Sequence, residues 1–211
     1  MIDIFDILGP IMVGPSSSHT AGAVRIGGMA RSLLGGEPVR AEIGLHGSFA
    51  ETGPGHGTDR ALVAGLMGMK PDDLRIPRSF ELAKKQGLEF SFHNVELKEA
   101  HPNSALLTVS DGEGRTLEMQ AASTGGGRIR VDRLNGIAVN FTGAFNTLII
   151  RSNDVPGKLA EVTRELEGPT MIGPRMSKIS IMGCISPSVE KFLSAYHKFY
   201  QVASCFFRRI C

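Results

Sequence analysis

Hydrophobic positions along the first two thirds of the chain follow two spacings, one typical of helices and one typical of strands. The helical spacing predicts helices over residues 20–34, 58–69 and 79–86. Strict alternation of apolar and polar residues predicts strands over 39–45, 88–93, 105–110, 116–122 and 128–134. Asp111-Gly112-Glu113-Gly114 lies between two alternating runs and is typical of a hairpin turn. The pattern predicts an α+β fold, a two-layer sandwich whose mixed sheet is at least partly antiparallel.

The chain changes character near Gly168. Up to that residue it has 17 Lys and Arg against 20 Asp and Glu, whereas the remainder has 6 against 1. All three cysteines and both tyrosines lie in the basic remainder, which has only two of the 26 glycines. This break indicates an atypical tail over 169–211; before it, we expect a main domain over 1–145 and a short second module over 146–168.

Composition excludes several classes of protein. With 211 residues and 42% hydrophobic content, the chain can bury a substantial core. The net charge of +2 indicates no nucleic-acid or membrane partner. No apolar run approaches the roughly 18 residues of a membrane span, and the N-terminus does not resemble an export signal, so we expect a soluble cytoplasmic protein.

The densest cluster of hydroxyl and imidazole groups consists of Ser16, Ser17, Ser18, His19 and Thr20. It directly precedes the first predicted helix, where free backbone N–H groups and the helix dipole favour a carboxylate or phosphate. Capping of the helix alone is the simpler interpretation, because one Ser or Thr satisfies these donors without a ligand. Three serines followed by His and Thr exceed what capping requires.

Two further segments bring histidines toward the ends of predicted elements. Glu51 to Arg60 is rich in glycine, is interpreted as a loop, and carries His56 to the start of the helix at 58. His101-Pro102-Asn103 precedes the strand at 105. Each also has a simpler interpretation, His56 as a surface residue and His101 as part of an ordinary turn.

Taken in order, four motifs closely resemble the beta component of iron-sulfur-dependent bacterial L-serine dehydratases. The resemblance covers residues 1 to about 168, and its motifs are GPSSSHT at 14–20, GHGTDRA at 55–61, His101-Pro102-Asn103 and STGGG at 123–127. It implies deamination of L-serine to pyruvate and ammonia, with a partner alpha component that holds a four-iron four-sulfur cluster. The resemblance therefore also implies that this chain is part of a hetero-oligomer or a homo-oligomer.

The resemblance assigns provisional roles to the motif residues. His56 is our hypothesis for the base, with His19 orienting substrate or shuttling a proton, although the two roles are exchangeable. The predicted substrate-binding residues are Ser16, Ser17, Ser18, Thr20, His101 and Asn103. No metal ligand is assigned to this chain, because three cysteines without close spacing cannot supply the four thiolates of a cluster.

A related fold suggests a rival function. The resemblance extends to the allosteric substrate-binding domain of some phosphoglycerate dehydrogenases, which implies a non-catalytic module that binds a small anion or amino acid. The same serines at a helix start would serve that function equally well.

The second module resembles the opening of an ACT domain, a ferredoxin-like regulatory module. A strand at 147–150, a turn at 153–157 and a helix at 158–167 match its first elements. The resemblance makes Asn153, Asp154 and Gly157 the regulatory, ligand-contacting residues, although an ordinary tight turn fits equally well.

Beyond Gly168 the sequence does not continue the ACT pattern, so we expect an incomplete module. A frameshift or premature stop is our hypothesis, with the possibility that this copy has lost its function. Within the tail, the pattern predicts a strand at 178–182 and a helix at 186–205.

Overall fold

A computed structural model describes residues 16–144, 147–152, 156–157 and 178–183. The chain divides into two compact units, residues 1–144 and residues 145–211. No helix in the described part of the chain is long and apolar enough to cross a membrane.

The three predicted helices of the first unit are present, and the structure adds a fourth α-helix. A π-helix, Ser17–Gly22, leads directly into α1, Ala23–Leu34; the others are α2, Ser48–His56, α3, Thr58–Leu66, and α4, Ser79–Lys85, after a 3-10 turn at Ile76–Arg78. The predicted helix at 58–69 ends early because Gly68 adopts a φ of +83°, which an α-helix does not accommodate. Helix α2 was not predicted.

Six strands form one mixed sheet in the order β2-β1-β3-β4-β5-β6. Their bounds are β1, Pro38–His46; β2, Glu89–Asn94; β3, Ser104–Asp111; β4, Thr116–Gly125; β5, Arg128–Leu134; and β6, Ile137–Phe141. Strand β1 pairs in parallel with β2, and every other neighbouring pair is antiparallel. The α+β class and the five predicted strands are confirmed, and β6 is an addition.

One face of the sheet carries the core of this unit. Ala41, Ile43 and Leu45 of β1 lie opposite Val109, Leu107 and Ala105 of β3. All six side chains are buried, while the intervening Arg40, Glu42 and Thr108 are exposed. Because side chains alternate between the faces of a strand, the helices cover the apolar face only.

Helices α1 and α3 approach each other through glycine. A Cβ atom added at Gly27 would lie 2.2 Å from the Leu62 carbonyl oxygen, and one at Gly65 would lie 2.0 Å from the Val24 carbonyl oxygen. The two backbones therefore pack closer than any larger residue would allow, which fixes α1 and the π-helix that precedes it.

The second unit contains a parallel pair of strands. Strand β7, Thr147–Ser152, pairs with β8, Lys178–Gly183, and Thr147 lies opposite Lys178. Strands were predicted at both places. The predicted helices at 158–167 and 186–205 lie outside the described residues.

Candidate functional site

The serine cluster forms the start of the π-helix. Ser16 is the N-cap residue in extended conformation, and its hydroxyl accepts a hydrogen bond from the His19 backbone N–H at 3.4 Å. Helix capping therefore explains one hydrogen bond, the one that Ser16 accepts, and leaves the other serines unexplained. Ser17 and Ser18 occupy the first two helical positions, and no described residue hydrogen bonds to the Ser17 hydroxyl. A π-helix is rare and is found frequently at functional sites.

The imidazole of His19 is enclosed by four hydroxyl groups. Its Nδ1 atom lies 3.2 Å from Oγ of both Ser16 and Ser18. Its Nε2 atom lies 3.2 Å from Ser48 Oγ and 3.0 Å from Thr52 Oγ1. The side chain is only 9% exposed, so its orientation is fixed by partners on both nitrogens.

Two of these partners, Ser48 and Thr52, come from α2, which extends into the segment that the sequence predicted to be a loop. The prediction of a glycine-rich loop over Glu51 to Arg60 is wrong, because α2 continues through Gly53 and Pro54 to His56 and α3 begins at Thr58, which leaves only Gly57 between the two helices. Phe49 anchors this helix with a fully buried side chain, and Gly57, with a φ of +71°, caps its C-terminus. Burial and capping outweigh the low helix propensity of glycine and proline.

His56 is the last residue of α2, so it ends one helix instead of beginning the next. Its ring centroid lies 5.0 Å from that of His19, with the planes tilted by 47°. The Phe49 ring meets His19 edge-on at 5.3 Å. The structure thus brings together two of the three histidines singled out in the sequence, His19, which is buried, and His56, which is exposed.

The electrostatic surroundings disfavour a charge on His19. Burial of the imidazole is the largest influence and lowers the pKa of His19 below its ordinary value of about 6.5. The neighbouring His56 lowers it further, because two positive charges so close together would repel each other. The lowered pKa favours the neutral imidazole at pH 7, in which one ring nitrogen carries the proton and the other accepts a hydrogen bond.

The turn at His101 to Asn103 lies against the start of α2. A Cβ atom at Gly47 would lie 2.7 Å from the Pro102 carbonyl oxygen, so the two backbones are in contact. The Asn103 N–H donates to His101 Nδ1 at 3.1 Å, and the Asn103 carbonyl accepts from the Ser123 N–H at 2.9 Å. The hydrogen bond to His101 Nδ1 is thus explained by the simpler interpretation, in which His101 is part of an ordinary turn.

Three buried hydroxyls near these segments lack a hydrogen-bond partner among the described residues: Thr20 Oγ1, Thr58 Oγ1 and Ser123 Oγ. A buried polar group without a partner costs about 1–3 kcal/mol, so such groups are uncommon in stable folds. A Cβ atom at Gly22 would lie 2.0 Å from Ser123 Oγ, which places β4 directly beside the π-helix. Thr20 and Ser123 thus supply unused polar atoms next to the helix start.

The triglycine segment forms the turn between β4 and β5. Gly125, Gly126 and Gly127 all have positive φ, between +57° and +98°. Arg25, in the first turn of α1, donates to the Gly127 carbonyl at 2.8 Å. This turn is therefore tied to the helix that follows the serine cluster.

The described residues do not fit an iron-sulfur cluster. The cysteines, Cys184, Cys205 and Cys211, lie outside them, and no three His, Cys, Asp or Glu side chains in the described ranges group as metal ligands. Of the residues predicted for regulation, Gly157 has a φ of +87°, while Asn153 and Asp154 lie outside the described residues.

Comparison of the sequence with known proteins shows the family of this chain. The serine dehydratase beta chain profile matches residues 1–87. The L-serine dehydratase beta chain of Peptoniphilus asaccharolyticus is 45% identical over 165 residues, which cover 78% of this chain and 74% of that protein. The probable L-serine dehydratase beta chain of Bacillus subtilis is 44% identical over 163 residues, 77% of this chain and 74% of the relative. The chain belongs to the serine dehydratase beta chain family.

A longer relative of this beta chain family is also similar. L-serine dehydratase TdcG of Escherichia coli is 33% identical over 153 residues, which cover 61% of this chain but only 33% of that protein. In TdcG the beta-like segment is thus one part of a larger polypeptide.

Proposed function

We propose that this chain is the beta component of an L-serine dehydratase, a lyase that converts L-serine to pyruvate and ammonia. Two relatives of 44% and 45% identity bear the name L-serine dehydratase beta chain and align with most of this chain. The observation that carries the proposal is the pair of imidazoles 5.0 Å apart beside a hydroxyl-rich helix start. Serine elimination needs a base for the Cα proton and donors for the carboxylate, and this site offers both.

The alpha component belongs to the same proposal. A four-iron four-sulfur cluster held by that component would supply the Lewis acid for departure of the serine hydroxyl. The limited coverage of the Escherichia coli relative, 33% of its length, supports a division of the enzyme into this part and another. We therefore propose a hetero-oligomer in which this chain forms one wall of the site.

His56 is the candidate base because its imidazole is the more accessible of the pair. No described residue hydrogen bonds to its ring, whereas both nitrogens of His19 are occupied by hydroxyls. His56 abstracts the Cα proton, and the Cβ hydroxyl takes up that proton from the imidazolium and leaves as water, which gives aminoacrylate and regenerates neutral His56. Aminoacrylate rearranges to the imine, and hydrolysis of the imine yields pyruvate and ammonia.

The substrate carboxylate is assigned to the start of the π-helix. No described residue accepts a hydrogen bond from the backbone N–H groups of Ser17 and Ser18, which lie in the first turn of the π-helix, where the helix dipole favours an anion. We assign the side chains of Ser16, Ser17, Ser18 and Thr20 to the same carboxylate site. We assign the turn from His101 to Asn103 to the edge of this carboxylate site. Its backbone contacts Gly47, which directly precedes Ser48, a hydrogen-bond partner of His19.

The second unit is proposed to be an incomplete ACT module. In a split β-α-β arrangement a further strand lies between the two parallel strands, whereas here β7 and β8 pair directly. That direct pairing supports an incomplete module, because no strand lies between β7 and β8 among the described residues. Resequencing the gene tests the frameshift hypothesis, which requires an intact ACT reading frame one base away.

Reconstitution tests the catalytic proposal. The full chain is combined with an iron-sulfur alpha component, and pyruvate formation from L-serine is measured with D-serine as the control substrate. We expect turnover of L-serine only when both components are present. A chain that merely changes the apparent affinity for serine of an already active alpha component would instead be the rival, a regulatory domain that binds a small anion or amino acid.

A further inference from the structure

Thr52 of helix α2 holds a position between two partners that determines where its proton lies. Its hydroxyl donates to the Ser48 carbonyl oxygen, one helical turn earlier, at 2.8 Å. The same oxygen atom lies 3.0 Å from Nε2 of His19. Because the only hydroxyl proton of Thr52 is directed to the carbonyl, Oγ1 presents a lone pair to the imidazole.

A lone pair at this distance selects one neutral form of His19. With the ring proton on Nε2, the contact is an N–H···O hydrogen bond of ordinary length. With the proton on Nδ1, two lone pairs would face each other at 3.0 Å. Ser48 Oγ, at 3.2 Å from the same nitrogen, is free of this constraint because its hydroxyl can rotate to donate or accept.

The other ring nitrogen has partners that suit the same form. Ser16 Oγ accepts a hydrogen bond from the His19 backbone N–H, so its own proton is free to point toward Nδ1 at 3.2 Å. Ser18 Oγ lies 3.2 Å from both Nδ1 and Ser16 Oγ. Nδ1 can thus accept from one serine while the other retains its proton for a ligand.

We infer that Thr52 is a positioning residue that fixes the Nε2–H tautomer of His19 and so directs the Nδ1 lone pair toward the serine cluster. The inference deepens the proposed function, since it rests on His19 as part of that site. One serine hydroxyl and the free backbone N–H groups then remain as donors for the substrate carboxylate. The ring carries no charge in this arrangement and orients the donors.

Nitrogen-15 NMR of histidine-labelled full-length protein, recorded above pH 7.5, reads the tautomer directly. In the wild-type chain we expect a protonated, pyrrole-type signal for Nε2 of His19 and an unprotonated, pyridine-type signal for Nδ1. Thr52→Val keeps the shape but removes the lone pair, and should move both signals toward intermediate values. Ser48→Ala removes the longer contact to the same nitrogen and should leave both signals in place.

A Thr52→Val spectrum identical to the wild-type spectrum, or a proton found on Nδ1 in the wild type, would overturn the inference. Amide spectra of each variant establish that the fold is retained. Thr52→Ser keeps the hydroxyl and should show the wild-type signals. If Thr52→Val does not fold, the nitrogen that carries the proton in the wild-type spectrum still decides the inference.

Kinetics of the reconstituted enzyme separates this inference from the proposed function. Thr52→Val should lower kcat more than it changes KM, and Thr52→Ser should recover most of the loss. If the NMR result holds but no variant, including wild type, forms pyruvate with an alpha component, then the proposed function fails while the tautomer assignment stands.

Discussion

The ring of His56, at the end of helix α2, lies 5.0 Å from the buried ring of His19, which belongs to a different helix 37 residues earlier in the sequence. The two imidazoles differ in access to solvent and in the number of hydrogen-bond partners. They are therefore suited to different tasks, and substitutions should separate these tasks.

Replacement of His56 by Ala should abolish most of the proposed dehydratase activity. Loss of a general base lowers a rate by about 10²–10⁴-fold, and we expect kcat of the reconstituted enzyme to fall within that range. His93→Ala is the matched control, since His93 is an exposed histidine of β2 whose nearest charged partner is Glu42 at 3.7 Å. Equal turnover by His56→Ala and His93→Ala would reject His56 as the base.

Stability should depend on pH through His19. Because its pKa is lowered in the folded protein, the unfolded chain takes up a proton as pH falls through about 6.5 while the folded chain does not. The free energy of unfolding should therefore decrease from pH 7.5 toward the lowered pKa, and no contribution from this group remains to be lost above pH 7.5. Urea unfolding at pH 7.5 and pH 5.5 measures the change.

His19→Gln supplies the comparison for that measurement. Glutamine retains hydrogen-bonding capacity but does not titrate, so the variant should lose less stability between the two pH values than the wild type. An equal loss in both proteins would show that other groups cause the dependence.

Adjacent glycines of α1 should respond in opposite directions to the same substitution. Gly27→Ala places a methyl group 2.2 Å from the Leu62 carbonyl oxygen, and such overpacking costs about 1–3 kcal/mol. Gly28→Ala meets only the Gly65 carbonyl oxygen at 3.8 Å, so the better helix former should stabilise the protein by roughly 0.5–1 kcal/mol. Chemical denaturation of both variants measures the change. Denaturation midpoints that shift in the same direction in Gly27→Ala and Gly28→Ala would contradict this packing.

The first two serines should separate capping from ligand binding. Ser16→Ala removes the hydrogen bond to the His19 N–H and should lower the free energy of unfolding by about 0.5–2 kcal/mol. Ser17→Ala removes no hydrogen bond to a described residue, so stability should stay within about 0.5 kcal/mol of wild type. A rise in KM for serine in Ser17→Ala would assign that hydroxyl to the substrate.

Most of the sheet could be predicted because its alternation is local information. The one missed strand of the six-stranded sheet, β6, was signalled by Asn135-Gly136, both with positive φ, which join Leu134 to its partner Ile137 in a two-residue hairpin. An Asn-Gly pair between apolar residues is a strong hairpin signal, so this strand was predictable.

Helix α2 could not be predicted in the same way. Gly53, Pro54 and Gly55 all have low helix propensity, and what holds them in a helix is the buried ring of Phe49 together with the contacts of Ser48 and Thr52 to His19. Those contacts depend on a segment some 30 residues away in the sequence. The same long-range dependence explains why motif reading found His19, His56 and the two serines at Nδ1 but neither Ser48 nor Thr52, the hydroxyls at Nε2 of His19.

The contact between Gly47 and Pro102 joins the exit of one strand to the beginning of another. The proposed base His56, the π-helix start assigned to the substrate carboxylate and the turn at His101 all lie at this end of the sheet, so we expect heating to unfold them together with the sheet and not before it. Thermal inactivation is then expected to coincide with cooperative loss of the β-structure, with no inactive but fully folded species accumulating at lower temperature.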